Sequence, residues 1–86
     1  MQGWVYPNPA YDKFHVLIPK VFGIRFQVSP CIIEVFDLFG RKVKKIKVPK
    51  GQTEVEVNVE GWKKGLYLVR IRSDLGIVGS EKLLVN

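Results

Sequence analysis

Few side chains in this sequence could carry out chemistry, and none of them stands beside a suitable partner. Cys31 is the only cysteine and His15 the only histidine, which excludes an internal disulfide and a metal site built from several cysteines. We interpret Cys31 as a small buried residue of a strand and His15 as a residue on a strand face. Asp37 could be proposed as a catalytic carboxylate, but no acid, base or nucleophile lies near it in sequence. The sequence therefore predicts no enzyme, no cofactor and no metal site.

Basic residues give the chain a formal net charge of +6 at pH 7. Most of the excess comes from Arg41, Lys42, Lys44, Lys45, Lys47, Lys50, Lys63 and Lys64. Because the first of these interleave with apolar residues, we interpret them as the solvated face of an edge strand, where lysine also opposes the addition of another strand. The alternative is an anionic partner, either lipopolysaccharide or nucleic acid. Nucleic acid is disfavoured, since neither an aromatic stacking platform nor a recognition helix is evident.

The length of the chain, 86 residues, allows one small domain with a modest core. Hydrophobic residues make up 47% of the sequence, but no apolar run is long enough to predict a transmembrane segment. The first residues lack the features of a signal peptide, so we expect an exported domain to be the tail of a longer protein that supplies the signal. We place the domain at residues 5–86, with residues 1–4 as leader or non-native residues.

Alternation of apolar and polar side chains with a period of two residues dominates the chain and predicts β-strands. We expect strands over residues 14–18, 22–28, 31–36, 42–48, 53–59, 66–72 and 77–85. Turns rich in Gly, Pro, Asp and Ser separate them, and no segment shows helical periodicity over a helical length. The pattern predicts an all-β fold, an immunoglobulin-like antiparallel β-sandwich of about seven strands; a small barrel is the alternative.

Five residues are expected to shape a turn or fill the core. Asp37 should accept backbone hydrogen bonds in a turn that Gly40 closes with a positive φ. Trp62 should plug one end of the core, and Tyr67 should lie inside it. Gly65 should permit the sharp entry of the chain into the strand that holds Tyr67.

The faces of the predicted strands add two expectations. Glu54 and Glu56 face solvent on the strand after the lysine-rich one, so we expect cross-strand pairs between these glutamates and those lysines. Ile32 and Phe36 point away from the core face of their strand. That outer face is therefore partly apolar, and a cargo domain or a partner protein could cover it.

Four short motifs follow one another along nearly the whole chain. They are VYPNPA at residues 5–10, IEVFDLFGRKV at residues 33–43, WKKGLYLVRI at residues 62–71 and EKLLV at residues 81–85. In this order and at this spacing they resemble the C-terminal sorting domains, type A, of proteins exported by the bacterial type IX (Por) secretion system.

This resemblance implies a function in protein export. Such a domain would be an immunoglobulin-type sandwich, covalently linked to an N-terminal cargo domain and recognised by an outer-membrane translocon. A sortase-like peptidase would remove the domain and could join the cargo to anionic lipopolysaccharide. The resemblance also implies transit through the periplasm and delivery to the cell surface or the extracellular space.

Two segments are the candidates for recognition. The first holds Pro7, Asn8 and Pro9; the second holds Lys82, Leu83, Leu84, Val85 and Asn86. The prolines fix two φ angles, so the opening segment can lie along the sandwich, and Asn8 can bond to neighbouring backbone; a purely structural role is the alternative. The second segment is the stronger candidate, because a chain terminus is accessible and strand addition can capture an edge strand.

Two other functions remain open from the sequence. An accessory module of a secreted enzyme, binding carbohydrate or spacing domains, would need an exposed aromatic platform, and Trp4, Tyr11 and Phe36 are its plausible members. An assembly module of the flagellar hook-cap kind would also carry an Asn-Pro opening.

Overall fold

The computed structural model describes residues 4–18, 31–49, 51–73 and 76–86, with the backbone alone at residues 77 and 78. All regular structure in these residues is β-strand. The strands are β1 (Val5–Tyr6), β2 (Lys13–Leu17), β3 (Cys31–Phe36), β4 (Lys42–Val48), β5 (Glu54–Asn58), β6 (Gly65–Ser73) and β7 (Gly76–Val85).

The described strands form two antiparallel sheets, one of three strands in the order β1-β2-β5 and one of four in the order β4-β3-β6-β7. The predicted all-β class and antiparallel β-sandwich are confirmed. The seven described strands differ from the seven expected, because no strand was predicted at residues 5–6, where β1 lies. The strand predicted over residues 22–28 lies outside the described residues.

The period of two residues explains how the core forms between the sheets. Alternate side chains of β2, β5 and β6 point inward, and these strands share one buried cluster with residues of β1, β3, β4 and β7. Its fully buried members include Phe14, Val16, Ile33, Val35, Val69, Ile71 and Leu83. Cys31 is also buried, and burial raises the pKa of its thiol, which keeps it in the unreactive protonated form.

Aromatic side chains close one end of this core. The ring of Trp62 lies half-buried, edge-on to Phe14 at a centroid distance of 6.3 Å and 5.2 Å from the ring of Tyr67. The hydroxyl of Tyr67 donates a hydrogen bond to the carbonyl of Lys63, so the buried ring keeps its polar atom satisfied. Gly65 begins β6 with φ at 143°, a conformation that favours glycine.

The expected pairing of Glu54 and Glu56 with the lysine-rich strand is wrong. The chain crosses from one sheet to the other between β4 and β5, so these two consecutive strands do not form a hairpin. β5 pairs with β2 instead, and the carboxylate of Glu56 lies 3.8 Å from the ammonium of Lys13. β4 keeps its expected place at the edge of its sheet, pairing with β3 within the described residues.

The packing of Trp62 can be tested by truncation. Trp62→Ala should lower the free energy of unfolding by about 2–4 kcal/mol, because the ring contacts both Phe14 and Tyr67. Phe39→Ala is the matched control, since that aromatic ring is 83% exposed, and it should change the stability by less than about 0.5 kcal/mol. Urea unfolding measures both values; equal midpoints for the two variants would show that Trp62 does not support the core.

Candidate recognition site

The N-terminal segment connects the two sheets at one side of the sandwich. β1 pairs with β2, placing Val5 opposite Val16, and residues 8–10 then run beside β7 in the other sheet. The peptide bonds that precede Pro7 and Pro9 are cis. One short segment thus contacts an edge of each sheet.

The side chain of Asn8 binds the backbone of β7 at two points. Its Nδ2 donates a hydrogen bond to the carbonyl of Lys82 at 2.8 Å, and its Oδ1 accepts one from the amide of Leu84 at 2.9 Å. A residue of a parallel strand uses its own amide and carbonyl in this pattern. The carboxamide of Asn8 therefore takes the place of a main-chain unit opposite Leu83.

Ala10 continues the same pattern with its backbone. Its amide donates to the carbonyl of Leu84 at 2.7 Å, and its carbonyl accepts from the amide of Asn86 at 2.8 Å. The two residues thus make a continuous parallel ladder with β7, and Ala10 is fully buried beneath it. Pro9 stands between them and has no amide to leave unpaired.

Trp4 fastens the beginning of the segment to an earlier part of β7. Its amide donates a hydrogen bond to Oε1 of Glu81 at 3.1 Å. Its indole packs over Gly79, where a Cβ atom would lie 3.6 Å from the ring. Together with Asn8 and Ala10, this contact holds the segment along much of the length of β7.

These contacts bring the two candidate recognition segments together. The residues of the second segment alternate between the exposed and the core-facing side of β7. Lys82, Leu84 and Asn86 are exposed, whereas Leu83 and Val85 point into the core and are 0% and 2% exposed. In the first segment, Pro7 and Asn8 are exposed and Pro9 is half-buried.

The expectation that strand addition could capture a free edge at residues 82–86 needs correction. Asn8 and Ala10 already occupy the backbone groups of this edge from the carbonyl of Lys82 to the amide of Asn86. An added strand would have to displace them. A partner therefore meets side chains and the opening segment here, not an open strand edge.

Asp37 shapes the turn between β3 and β4. Its Oδ1 accepts hydrogen bonds from the amides of Phe39 and Arg41, both at 2.9 Å, and its Oδ2 accepts one from Nε of Arg41 at 2.8 Å. Although desolvation opposes it, this set of donors, with the Arg41 amide foremost, lowers the pKa of Asp37. Gly40 closes the turn with φ at 80°. The carboxylate is thus held as a structural acceptor.

Sequence reasoning missed a cluster of charges on the outer face of the four-stranded sheet. Glu34 is 1% exposed, and its carboxylate lies 2.7 Å from Nζ of Lys42, 2.9 Å from Nη2 of Arg70 and 3.0 Å from Nε of Arg72. The hydrogen bond from Lys42, followed by those from Arg70 and Arg72, lowers the pKa of Glu34 to about 2 despite its burial. The available signal was a single glutamate in the otherwise apolar strand β3, in a chain rich in lysine and arginine.

The aromatic residues proposed for a carbohydrate platform do not share a face. Phe36 lies on the outer face of the four-stranded sheet, with the guanidinium of Arg70 4.7 Å from its ring centre. Trp4 lies on the core side, because it packs over Gly79, the register partner of the inward-facing Ile71. Tyr11 is exposed.

The described residues contain no helix with the length and apolarity needed to cross a membrane. They also contain no group of three or more His, Cys, Asp or Glu side chains placed to hold a metal ion.

A model of the secretion system C-terminal sorting domain family matches residues 4–86 of the chain. The chain belongs to this family, the sorting domains of type IX secretion. The match takes in the segments that the structure joins, at residues 8–10 and 82–86. The resemblance drawn from the four motifs is thereby confirmed. The sorting-domain family directs secretion to the cell surface or the extracellular space and is not itself catalytic.

A similar protein is the ulvan lyase NLR42 of Nonlabens ulvanivorans. It is 24% identical to this sorting domain over 82 residues, which cover 95% of the chain and 14% of that protein. The sorting domain thus spans only a small part of this relative, which is a much longer protein named as an enzyme.

The charge cluster of the sorting domain predicts a pH dependence of stability. The folded-state pKa of Glu34 is about 2, against about 4.3 for a glutamate in an unfolded chain. Because the folded value is the lower one, the stabilisation is complete above about pH 4.3 and is lost as the pH falls through about 2. Glu34→Gln should lower the free energy of unfolding at pH 7 by about 1–3 kcal/mol, since three cations lose their counter-charge.

Urea unfolding of Glu34→Gln and the parent at pH 7 and pH 2.5 measures this effect. The difference between the two proteins should shrink at the lower pH, where the parent has lost most of its advantage. Glu56→Gln is the control, because Glu56 is exposed on β5, and it should change the stability by less than about 0.5 kcal/mol. An unchanged stability of Glu34→Gln at pH 7 would contradict the account.

The hydrogen bonds of Asn8 predict a local change in amide exchange. Asn8→Ala removes the acceptor of the Leu84 amide, which should exchange with deuterium faster than in the parent. The Asn86 amide, bonded to Ala10, should keep more of its protection. Asn58→Ala, which removes a turn acceptor elsewhere, should leave Leu84 unchanged. Equal exchange of Leu84 in the parent and in Asn8→Ala would show that the bond does not form.

Proposed function

We propose that this sorting domain is recognised by the outer-membrane translocon through one composite surface. The composite surface consists of the exposed residues of the joined segments: Pro7, Asn8, Lys82, Leu84 and Asn86, with Pro9 at its border. The observation that carries the proposal is the ladder between residues 8–10 and β7. It presents both segments of the family-matched chain side by side.

A composite surface would let the translocon distinguish folded from unfolded domains. Asn8 and Lys82 are 74 positions apart in sequence, so their side chains stand together only after folding. A receptor that contacts both would bind weakly to a disordered tail. This supports export of the cargo after the sorting domain has folded in the periplasm.

The cargo, in this proposal, is a larger protein covalently linked ahead of the domain, as the length of the ulvan lyase relative suggests. A sortase-like peptidase would then cut ahead of Trp4. The carbonyl of Trp4 already accepts a hydrogen bond from the amide of Leu17 at 2.7 Å, and Val5 is 3% exposed within β1. A cut further along would have to unpair this strand first. Attachment of the released cargo to anionic lipopolysaccharide is the corresponding anchoring step.

Export of a reporter tests the composite surface. The domain is fused behind a periplasmic reporter in a bacterium with a type IX system. Deleting residues 82–86 would also remove core residues and ladder bonds, so the informative variant is Lys82→Ala with Leu84→Ala, which changes only outward-facing side chains. We expect the parent fusion to reach the surface or the medium and this variant to accumulate in the periplasm.

A matched control separates recognition from general surface effects. Lys47→Ala with Leu17→Ala removes the same residue types, and Leu17 and Leu84 are 39% and 37% exposed. This control should be exported like the parent, and both double variants should melt within a few degrees of it. Normal export of a folded Lys82→Ala, Leu84→Ala variant would contradict the proposal.

A further inference from the structure

A groove lies between the turn that Asp37 shapes and the segment that leads into β6. It has a volume of about 400 Å³ and is lined by residues of the ranges 37–43 and 62–67. Leu38, Phe39, Val43 and Leu66 supply its apolar walls. We call this cavity the turn groove. Leu66, one of its lining residues, pairs with Leu84 of β7, so the turn groove adjoins the composite surface.

The apolar side chains at the mouth of the turn groove are unusually exposed. Phe39 is 83% exposed and Leu38 is 71% exposed, although both are large apolar residues. They stand on a fixed backbone, because the carboxylate of Asp37 binds two amides of the same turn. The guanidinium of Arg41 lies 5.5 Å from the ring centre of Phe39. Exposed aromatic and arginine side chains on a fixed backbone are typical anchors of protein interfaces.

The rim of the turn groove is positively charged. Lys63 and Lys64 both line it and are exposed. Neither rim lysine forms an ion pair among the described residues. The ion pairs that these residues do form all involve Lys13, His15, Glu34 or Asp37. Asp37 also lines the groove, but Arg41 neutralises it. An occupant with carboxylates would therefore meet complementary charge.

We propose that the turn groove binds an extended acidic segment of a partner protein. An aliphatic or aromatic side chain of that segment enters between Phe39 and Leu66, and flanking carboxylates meet Lys63 and Lys64. This binding surface adjoins the composite surface and shares Leu84 with it, but the proposal does not depend on recognition of the composite surface by the translocon.

An apolar strip gives such a segment a path beyond the groove. Leu66 pairs directly with Leu84 across β6 and β7, and Leu68 follows two residues later on the same face. Their side chains are 43%, 37% and 37% exposed in the order Leu66, Leu68, Leu84. The strip therefore extends the apolar floor of the turn groove across the outer face of the four-stranded sheet.

Charge and shape favour this occupant over two others. A second copy of the chain would bring a net charge of +6 against a positive rim. An anionic membrane is held by clusters of four or more basic residues or by a large apolar face, whereas this rim offers two unpaired lysines. The concave volume suits a few side chains of a peptide.

Selection from a displayed library of random dodecapeptides against the immobilised sorting domain tests the proposal. Enriched peptides should combine Asp or Glu with aliphatic or aromatic residues. Phe39→Ser, and separately Lys63→Glu with Lys64→Glu, should each weaken binding of the best peptide at least tenfold. The control Lys44→Glu with Lys47→Glu makes the same charge change on β4 and should weaken binding less than threefold.

Shifts of backbone amide signals on peptide addition should concentrate in residues 37–43 and 62–67. Enriched peptides without acidic residues, or binding that survives Phe39→Ser, would overturn the proposal. Phe39-dependent binding to phosphatidylglycerol vesicles with no peptide enrichment would overturn it in favour of a membrane contact. Because the assay contains no translocon, its result is independent of whether the composite surface directs export.

Discussion

The parallel ladder between residues 8–10 and β7 is the interaction on which the arrangement of the recognition segments depends. β7 is the last strand of the four-stranded sheet, and β1 is the first of the other sheet. Because it contains β1 and also pairs with β7, the opening segment joins the two sheets at this side of the sandwich. Hydrogen bonds of this kind contribute about 0.5–1.5 kcal/mol each, so the four of them matter in a domain of this size.

The two faces of the four-stranded sheet perform different tasks. The inner face is apolar and packs against the three-stranded sheet. The outer face holds Glu34 among three cations, with an apolar strip beside it. Because the carboxylate is almost fully buried there, its negative charge would be strongly destabilising without those three cations. The outer face is thus a defined polar and apolar surface that a partner can contact.

Much of the fold could be predicted from local patterns. The period of two residues predicted the strands and the inward direction of Leu83 and Val85, because alternation reports which face of a strand is buried. It could not predict that β4 and β5 belong to different sheets, since the intervening residues resemble an ordinary turn. The glutamates of β5 were therefore assigned to the wrong neighbours.

The site was predicted as two separate segments, not as one surface. A side chain such as that of Asn8, which bonds to backbone 74 positions away, leaves no periodic signal in the sequence. The burial of Glu34 was also missed, because it depends on the register that sets it opposite Arg70. The turn groove needs two distant segments, and only the folded chain brings them together.

The most direct test of this account is to detect the ladder in solution. Nuclear Overhauser effects can be measured between the side-chain amide of Asn8 and the backbone of β7, and between Ala10 and Asn86. The account predicts strong cross-peaks from the Asn8 amide protons to the Leu84 amide, and from the Asn86 amide to Ala10. Random-coil chemical shifts for residues 5–10, with no cross-peaks to residues 82–86 in the folded domain, would contradict it.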